Sequence, residues 1–334
     1  MNHAVDRMSF PGFDPRGFTS FAQIQKEVEE FALILRQRGI DITPRSPLDE
    51  MCLTLLGLEE QRKNTALVDA NEDIRVALRG ALGLHDIIRR IVRLHGRPEF
   101  AMLEGHLRLL NSSTVAQNIA APGDKVAAKL FELLIGLVCL EAGKNLQVEE
   151  PHQSYGDNPD ILVDLDGRRW GFACKVLYGR SPIILFERLQ KGVDQIEASP
   201  AEIGCTIINL KNQIDHDETW VLANPAVRAD GTETPTFGAW RDIADPRDML
   251  SALAERRHEE LLTVNGEDAV KSLFEGKKSI LGALLFLQTA TALASPHGPV
   301  NTTVGIFSLM ILGDMAPGAL ETLDRLNHAM HHRS

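Results

Sequence analysis

Asn158-Pro159-Asp160-Ile161-Leu162-Val163-Asp164-Leu165-Asp166-Gly167-Arg168-Arg169-Trp170-Gly171-Phe172-Ala173-Cys174-Lys175 is the stretch on which the fold turns. Two mostly apolar runs flank an Asp-Gly dipeptide, which is a strong local signal for a two-residue hairpin turn. With Asp166-Gly167 as the turn, residue 165 faces 168, Asp160 falls opposite Ala173, and Lys175 lies diagonally across. Opposed residues share a sheet face with Cβ atoms about 5 Å apart, and diagonal neighbours lie roughly 7 to 8 Å apart. The turn therefore brings a carboxylate and an ammonium to one spot.

Working outward, Ala121-Pro122-Gly123-Asp124 marks a boundary, with Asp124 as the cap of a helix that runs through Leu140 and stops at Gly143. A short strand follows at Leu146 to Glu149, then the hairpin strands Asp160 to Leu165 and Arg168 to Leu177. A helix is expected over Ile183 to Ala198 and a buried strand over Gly204 to Leu210. The resulting order is α, β, β, β, α, β.

Pro159-Asp160, Lys175 and a helical Glu132, in that element order, resemble the PD-(D/E)xK phosphodiesterase superfamily, the restriction-endonuclease-like fold; the resemblance covers roughly residues 124 to 212. It implies a Mg²⁺- or Mn²⁺-dependent nuclease. Asp160 and the backbone carbonyl of Cys174 would bind the metal, and Lys175 would orient or polarise the attacking water. Ala173 departs from the pattern, because the superfamily usually places its second metal-binding carboxylate there. Some restriction endonucleases are similar in having a small residue at this position and a glutamate from the following helix. Glu187, twelve residues after Lys175, is the candidate here. Lys191 and Gln195 share its helix face, and the resemblance gives Gln195 a role in touching phosphate or supporting the lysine. Glu132 has two readings: an acid that assists the metal, or the partner of Lys129 one turn away in a strongly apolar helix, where a lone carboxylate would cost several kcal/mol.

The chain has 334 residues, 44% of them hydrophobic, which is ample for a packed core and long for one domain. Residues 1–120 read as a helical domain, and 121–334 as the α/β nuclease domain, with an inserted polar and helical region at about 213–278. Ile280 to Leu293 and Thr303 to Leu312 fit extra strands, and the tail from Pro317 fits a final helix. The third N-terminal helix carries Arg75, Arg79, Arg89, Arg90, Arg93 and Arg97 within about 100° of arc, a stripe able to follow a phosphate backbone, unless Gly80 and Gly83 interrupt it. His152 and Gln153 precede the Pro-Asp strand and are placed to line the mouth of a site, while Asp215-His216-Asp217-Glu218 has a metal-like composition without fixed spacing.

A net charge of −11 excludes a general nucleic-acid coat and confines contact to a local basic patch. Aromatic content of 5% advertises no base-stacking platform. Cys52, Cys139, Cys174 and Cys205 are dispersed in apolar runs and read as buried thiols of a reducing compartment. With no apolar run of about 18 residues and no secretory pattern, a cytoplasmic protein is expected. The expected partner is nucleic acid, DNA ahead of RNA, in bacterial restriction, phage defence or repair, with double-strand cutting favouring a homodimer. The alternative is a catalytically inactive member of the fold, decayed at Ala173, that binds nucleic acid or protein.

Overall fold

The computed structural model describes residues 21–57, 72–153, 158–227, 233–294 and 300–331. The chain is an α/β protein in which N-terminal helices precede a six-strand mixed sheet interleaved with helices. The N-terminal helices are α1 (Phe21–Gln37), α2 (Pro47–Leu56), α3 (Glu72–Leu94) and the short α4 (Glu104–Leu107). Ser46 opens α2 by accepting from the Asp49 amide, with Pro47 in the first turn, as the sequence pattern predicts. Gly80 and Gly83 do not interrupt α3.

Helix α5 (Lys125–Ala142) starts where the sequence places it, because the Asp124 carboxylate accepts from the amides of Val126 at 2.8 Å and Ala127 at 2.9 Å. It is apolar nearly all round, as a helix covered on all sides must be. Strands β1 (Lys144–Val148), β2 (Ile161–Leu165) and β3 (Arg168–Val176) follow, then α6 (Pro182–Ala198) and β4 (Ile203–Asn209). Asp166 (φ 51°) and Gly167 (φ 78°) both take the left-handed conformation that a two-residue hairpin turn requires. The register is Leu165 to Arg168 through Ile161 to Phe172, which carried one step further sets Asp160 against Ala173.

Beyond β4 lie β5 (Leu222–Val227), β6 (Glu233–Phe237), α7 (Ala244–Asn265), α8 (Glu267–Ser272), β7 (Ser279–Leu293), β8 (Val300–Ile311) and α9 (Ala319–His331). The main sheet has the order β1-β2-β3-β4-β7-β8. Strands β1 to β3 are antiparallel neighbours, β3, β4 and β7 run parallel, and β8 returns antiparallel to β7. The segment read from sequence as a polar excursion contains the antiparallel pair β5 and β6, a small sheet of its own. One apolar core joins α1, α2 and α3 through α5 to one face of the main sheet, where the rings of Phe131, Phe286 and Phe307 pack in series, tilted to one another. A second core fills the other face beneath α6 and α7. Among the described residues, no helix is long and apolar enough to cross a membrane.

The arginines of α3 make contacts with neighbouring helices: Arg79 and Arg90 are buried, Arg89 is partly buried, and Arg93 and Arg97 stay exposed. Arg90 is 3% exposed and donates to Glu141 at 2.9 Å and to the carbonyls of Ala329 and Met330. Arg93 donates to the same Glu141, Arg97 to the Leu140 carbonyl, and Arg79 to Asp217. Arg89 lies 3.9 Å from Glu27. The side chain of Arg75 lies outside the described residues. The physical reason is that α3 has neighbours on its charged side too: the C-terminal end of α5 and the last turn of α9. Guanidinium groups there cap carbonyls that those helix ends leave unpaired.

Arg90→Met should therefore destabilise the fold by about 3 kcal/mol or more, because Glu141 and two helix-end carbonyls lose a buried donor. Urea unfolding of the variant beside the wild type measures this, and a loss below about 1 kcal/mol, the size of a surface pair, would contradict it.

Candidate active site

Side chains alternate in face along β3, so that Trp170, Phe172, Cys174 and Val176 join the α5-side core. Asp160, Ala173 and Lys175 consequently share the opposite, α6 face of the sheet. Asp160 is 3% exposed, and its Oδ2 accepts from the Cys174 amide at 2.6 Å and lies 3.4 Å from Lys175 Nζ. Lys175 also donates to the Cys174 carbonyl at 3.2 Å. These groups form the floor of a cleft of about 540 Å³, whose walls are Lys129 and Glu132 from α5 and Arg188, Lys191, Asp194, Gln195 and Ala198 from α6.

Glu132, 4% exposed, is buried as deeply as Asp160. Its Oε1 pairs with Lys129 Nζ at 2.9 Å, and its Oε2 meets His106 Nε2 at 3.0 Å. Burial first, and the Asp160 charge second, push the Glu132 carboxyl well above the usual carboxylate range, against the pull of Lys129 and Lys175. Burial likewise holds His106 down at about 3, with the Lys129 charge adding to it, so the imidazole is neutral where its Nε2 meets Glu132. Lys129 keeps its charge although burial opposes it, because Glu132 and Asp160 raise its pKa. Lys129 Nζ lies 3.9 Å from Asp160 Oδ1.

The sequence-derived set divides. Asp160, Lys175, Glu132, Gln195, Lys191 and the backbone of Cys174 come together around the cleft. Glu187 does not: it is exposed and does not line the cleft. Helix spacing gives the face of a residue but not its height along the axis. Glu187 sits about 6 Å before Lys191 and about 10 Å before Asp194, and Asp194 is the acid that α6 brings to the rim. That height is fixed where Gly192 meets the Thr206 side chain, a contact with no room for a Cβ. Thr206 is the register partner of Ala173, so the same close approach roofs position 173, which is fully buried. A methyl group suits that packing.

His106 and Arg188 were not foreseen. His106 could have been suspected as a polar residue inside the apolar run Phe100 to Leu110, but its meeting with Glu132 depends on how α4 lies against α5. His152 is exposed and outside the cleft, and the side chain of Gln153 lies outside the described residues. In the 215–218 cluster, His216 is buried between Thr289 Oγ1 and the Lys211 carbonyl, and Asp217 is taken by Arg79. All four thiols are free and buried, and burial pushes the Cys52 and Cys205 thiols up to about 12, which leaves them without nucleophilic character at neutral pH. Among the described residues, no group of three or more His, Cys, Asp or Glu is arranged to hold a metal ion. The chain matches no protein-family model, no curated protein and no solved structure.

His216 gives the fold an acid-side dependence. Burial, then the Arg79 charge, lowers its imidazole from 6.5 to about 4, so between those values the unfolded chain binds a proton that the folded chain refuses. Stability from this group is complete above pH 6.5 and is lost as pH falls toward 4, by at most about 1.4 kcal/mol per pH unit. In urea unfolding at pH 7, 6 and 5, His216→Gln should lose stability less steeply than the wild type; parallel curves would show that His216 ionises freely in the folded protein.

Proposed function

We propose that the chain is a divalent-metal-dependent nuclease with a restriction-endonuclease-like core of α5, β1, β2, β3, α6 and β4, acting on DNA ahead of RNA. One observation carries this reading: Asp160 and Lys175 converge within 3.4 Å on the floor of an open cleft, between Glu132 on one helix and Gln195 on the next. A purely structural cross-strand pair would not need a second buried acid and a buried amide turned to the same space.

The donor set fits a hard cation. Asp160, Glu132 and the Cys174 carbonyl offer oxygen ligands, which Mg²⁺ and Mn²⁺ prefer. When bound, the cation would neutralise the phosphate and lower the pKa of its water. The remaining work falls to the chain's own groups. Lys175 Nζ, anchored on Asp160 and the Cys174 carbonyl, has the donors to hold the oxygen of an attacking water in line. Arg188 and Lys191 present positive charge along the α6 wall, where a phosphodiester backbone would lie. The cleft is lined by four cationic side chains (Lys129, Lys175, Arg188, Lys191) and three acidic ones (Glu132, Asp160, Asp194). A local excess of positive charge in a chain of net charge −11 favours an anionic substrate at this place.

A second reading, a binding module on the same fold without catalysis, is favoured by Ala173, which leaves the floor with a single carboxylate, and by the hold of Lys129 on Glu132. Plasmid nicking separates the two. The purified chain should nick supercoiled DNA with Mg²⁺ or Mn²⁺ and stop with chelator. Asp160→Asn and Lys175→Gln should each slow cleavage by about 10²-fold or more with melting temperatures near wild type, while Glu187→Gln should cut normally. A wild-type protein that neither cuts nor binds Mn²⁺ would leave the binding module standing.

A further inference from the structure

Glu132 and Asp160 present four oxygens, and two of them have partners that belong to the permanent framework. Glu132 Oε2 is met by the buried His106, and Asp160 Oδ2 is met by the Cys174 amide and by Lys175. The oxygens that remain are Glu132 Oε1 and Asp160 Oδ1, and Lys129 Nζ stands near both, at 2.9 Å and 3.9 Å. A divalent ion shared by the two carboxylates would use those same lone pairs, at coordination distances of about 2 Å for Mg²⁺. Ammonium and metal ion cannot both occupy that space, since two cations a few ångströms apart in a partly buried site repel strongly.

Lys129 is also the lysine able to leave. Its side chain is 22% exposed, against 13% for Lys175, and it stands on the wall of the cleft rather than on its floor. Its four-carbon stem is flexible, and Glu149 lies close enough for its charge to act on the ammonium, offering a second acidic neighbour. Resting on the nuclease reading above, we propose that Lys129 is a tethered counter-ion: it neutralises the Glu132–Asp160 pair in the metal-free protein, is displaced when a divalent cation binds, and thereby sets the affinity of the site. The substrate-free protein would avoid two adjacent uncompensated carboxylates, and metal would bind only at concentrations that outcompete a covalently attached cation.

Mn²⁺ binding tests this without any cleavage assay. Calorimetry and the paramagnetic resonance signal of free Mn²⁺ give the dissociation constant for the wild type, Lys129→Met and Lys129→Gln, with Asp160→Asn as the site control. The glutamine variant keeps a hydrogen-bond donor beside Glu132 while removing the charge, so it guards against a methionine variant that fails to fold. Both lysine variants should bind Mn²⁺ at least about tenfold more tightly than the wild type, and saturating Mn²⁺ should raise their melting temperatures by more than it raises the wild type's. Equal or weaker binding in a folded Lys129→Gln would overturn the counter-ion role while leaving the metal-dependent reading intact. Absence of Asp160-dependent Mn²⁺ binding in all the proteins would overturn both.

Discussion

Two carboxylates, Glu132 and Asp160, lie almost out of reach of water, and the architecture around the cleft answers the cost of burying them. Moving one such charge from water into a protein interior costs several kcal/mol unless donors and countercharge surround it. The donors come from separate regions of the chain: His106 from α4, Lys129 from α5, and the Cys174 amide and Lys175 from β3. The site thus draws the N-terminal helices and the sheet into one structure, in keeping with the apolar core that runs continuously from α1 to the sheet. A helical region that only delivered substrate would not have to place a neutral imidazole against a buried acid of the cleft.

The parts of this arrangement that are legible in the sequence are those fixed by short-range chemistry. An Asp-Gly turn sets a register, and the register sets which residues share a face, so the meeting of Asp160 with Lys175 follows from a few residues. The cap at Asp124 is equally local. Glu187 and Asp194 illustrate the limit. Both lie on the correct side of α6, and the choice between them depends on how far along its axis the helix meets the sheet, which a contact between Gly192 and Thr206 decides. His106 is a stronger case, since nothing near it in sequence points to a residue 26 positions away.

The arginines of α3 show why a charged helical stripe is ambiguous. A face of guanidinium groups serves a phosphate backbone or the carbonyl ends of neighbouring helices equally well, because both present rows of acceptors. What separates the two is whether another helix end arrives there, and the ends of α5 and α9 do. On α6, Arg188 and Lys191 line the cleft beside its acidic floor.

Arg90 also constrains the order in which the molecule can be completed. Its partners Ala329 and Met330 are 239 and 240 residues further along the chain. At translation rates of roughly 5 to 20 residues per second, on the order of ten to fifty seconds separate the synthesis of the guanidinium from that of the carbonyls that receive it. Until then the pocket that will enclose Arg90 lacks its C-terminal wall, so α3 on a nascent chain has an open, hydrated flank. Closure of the helical layer at Arg90 therefore waits on residues synthesised long after α3, and α9 supplies that closing contact.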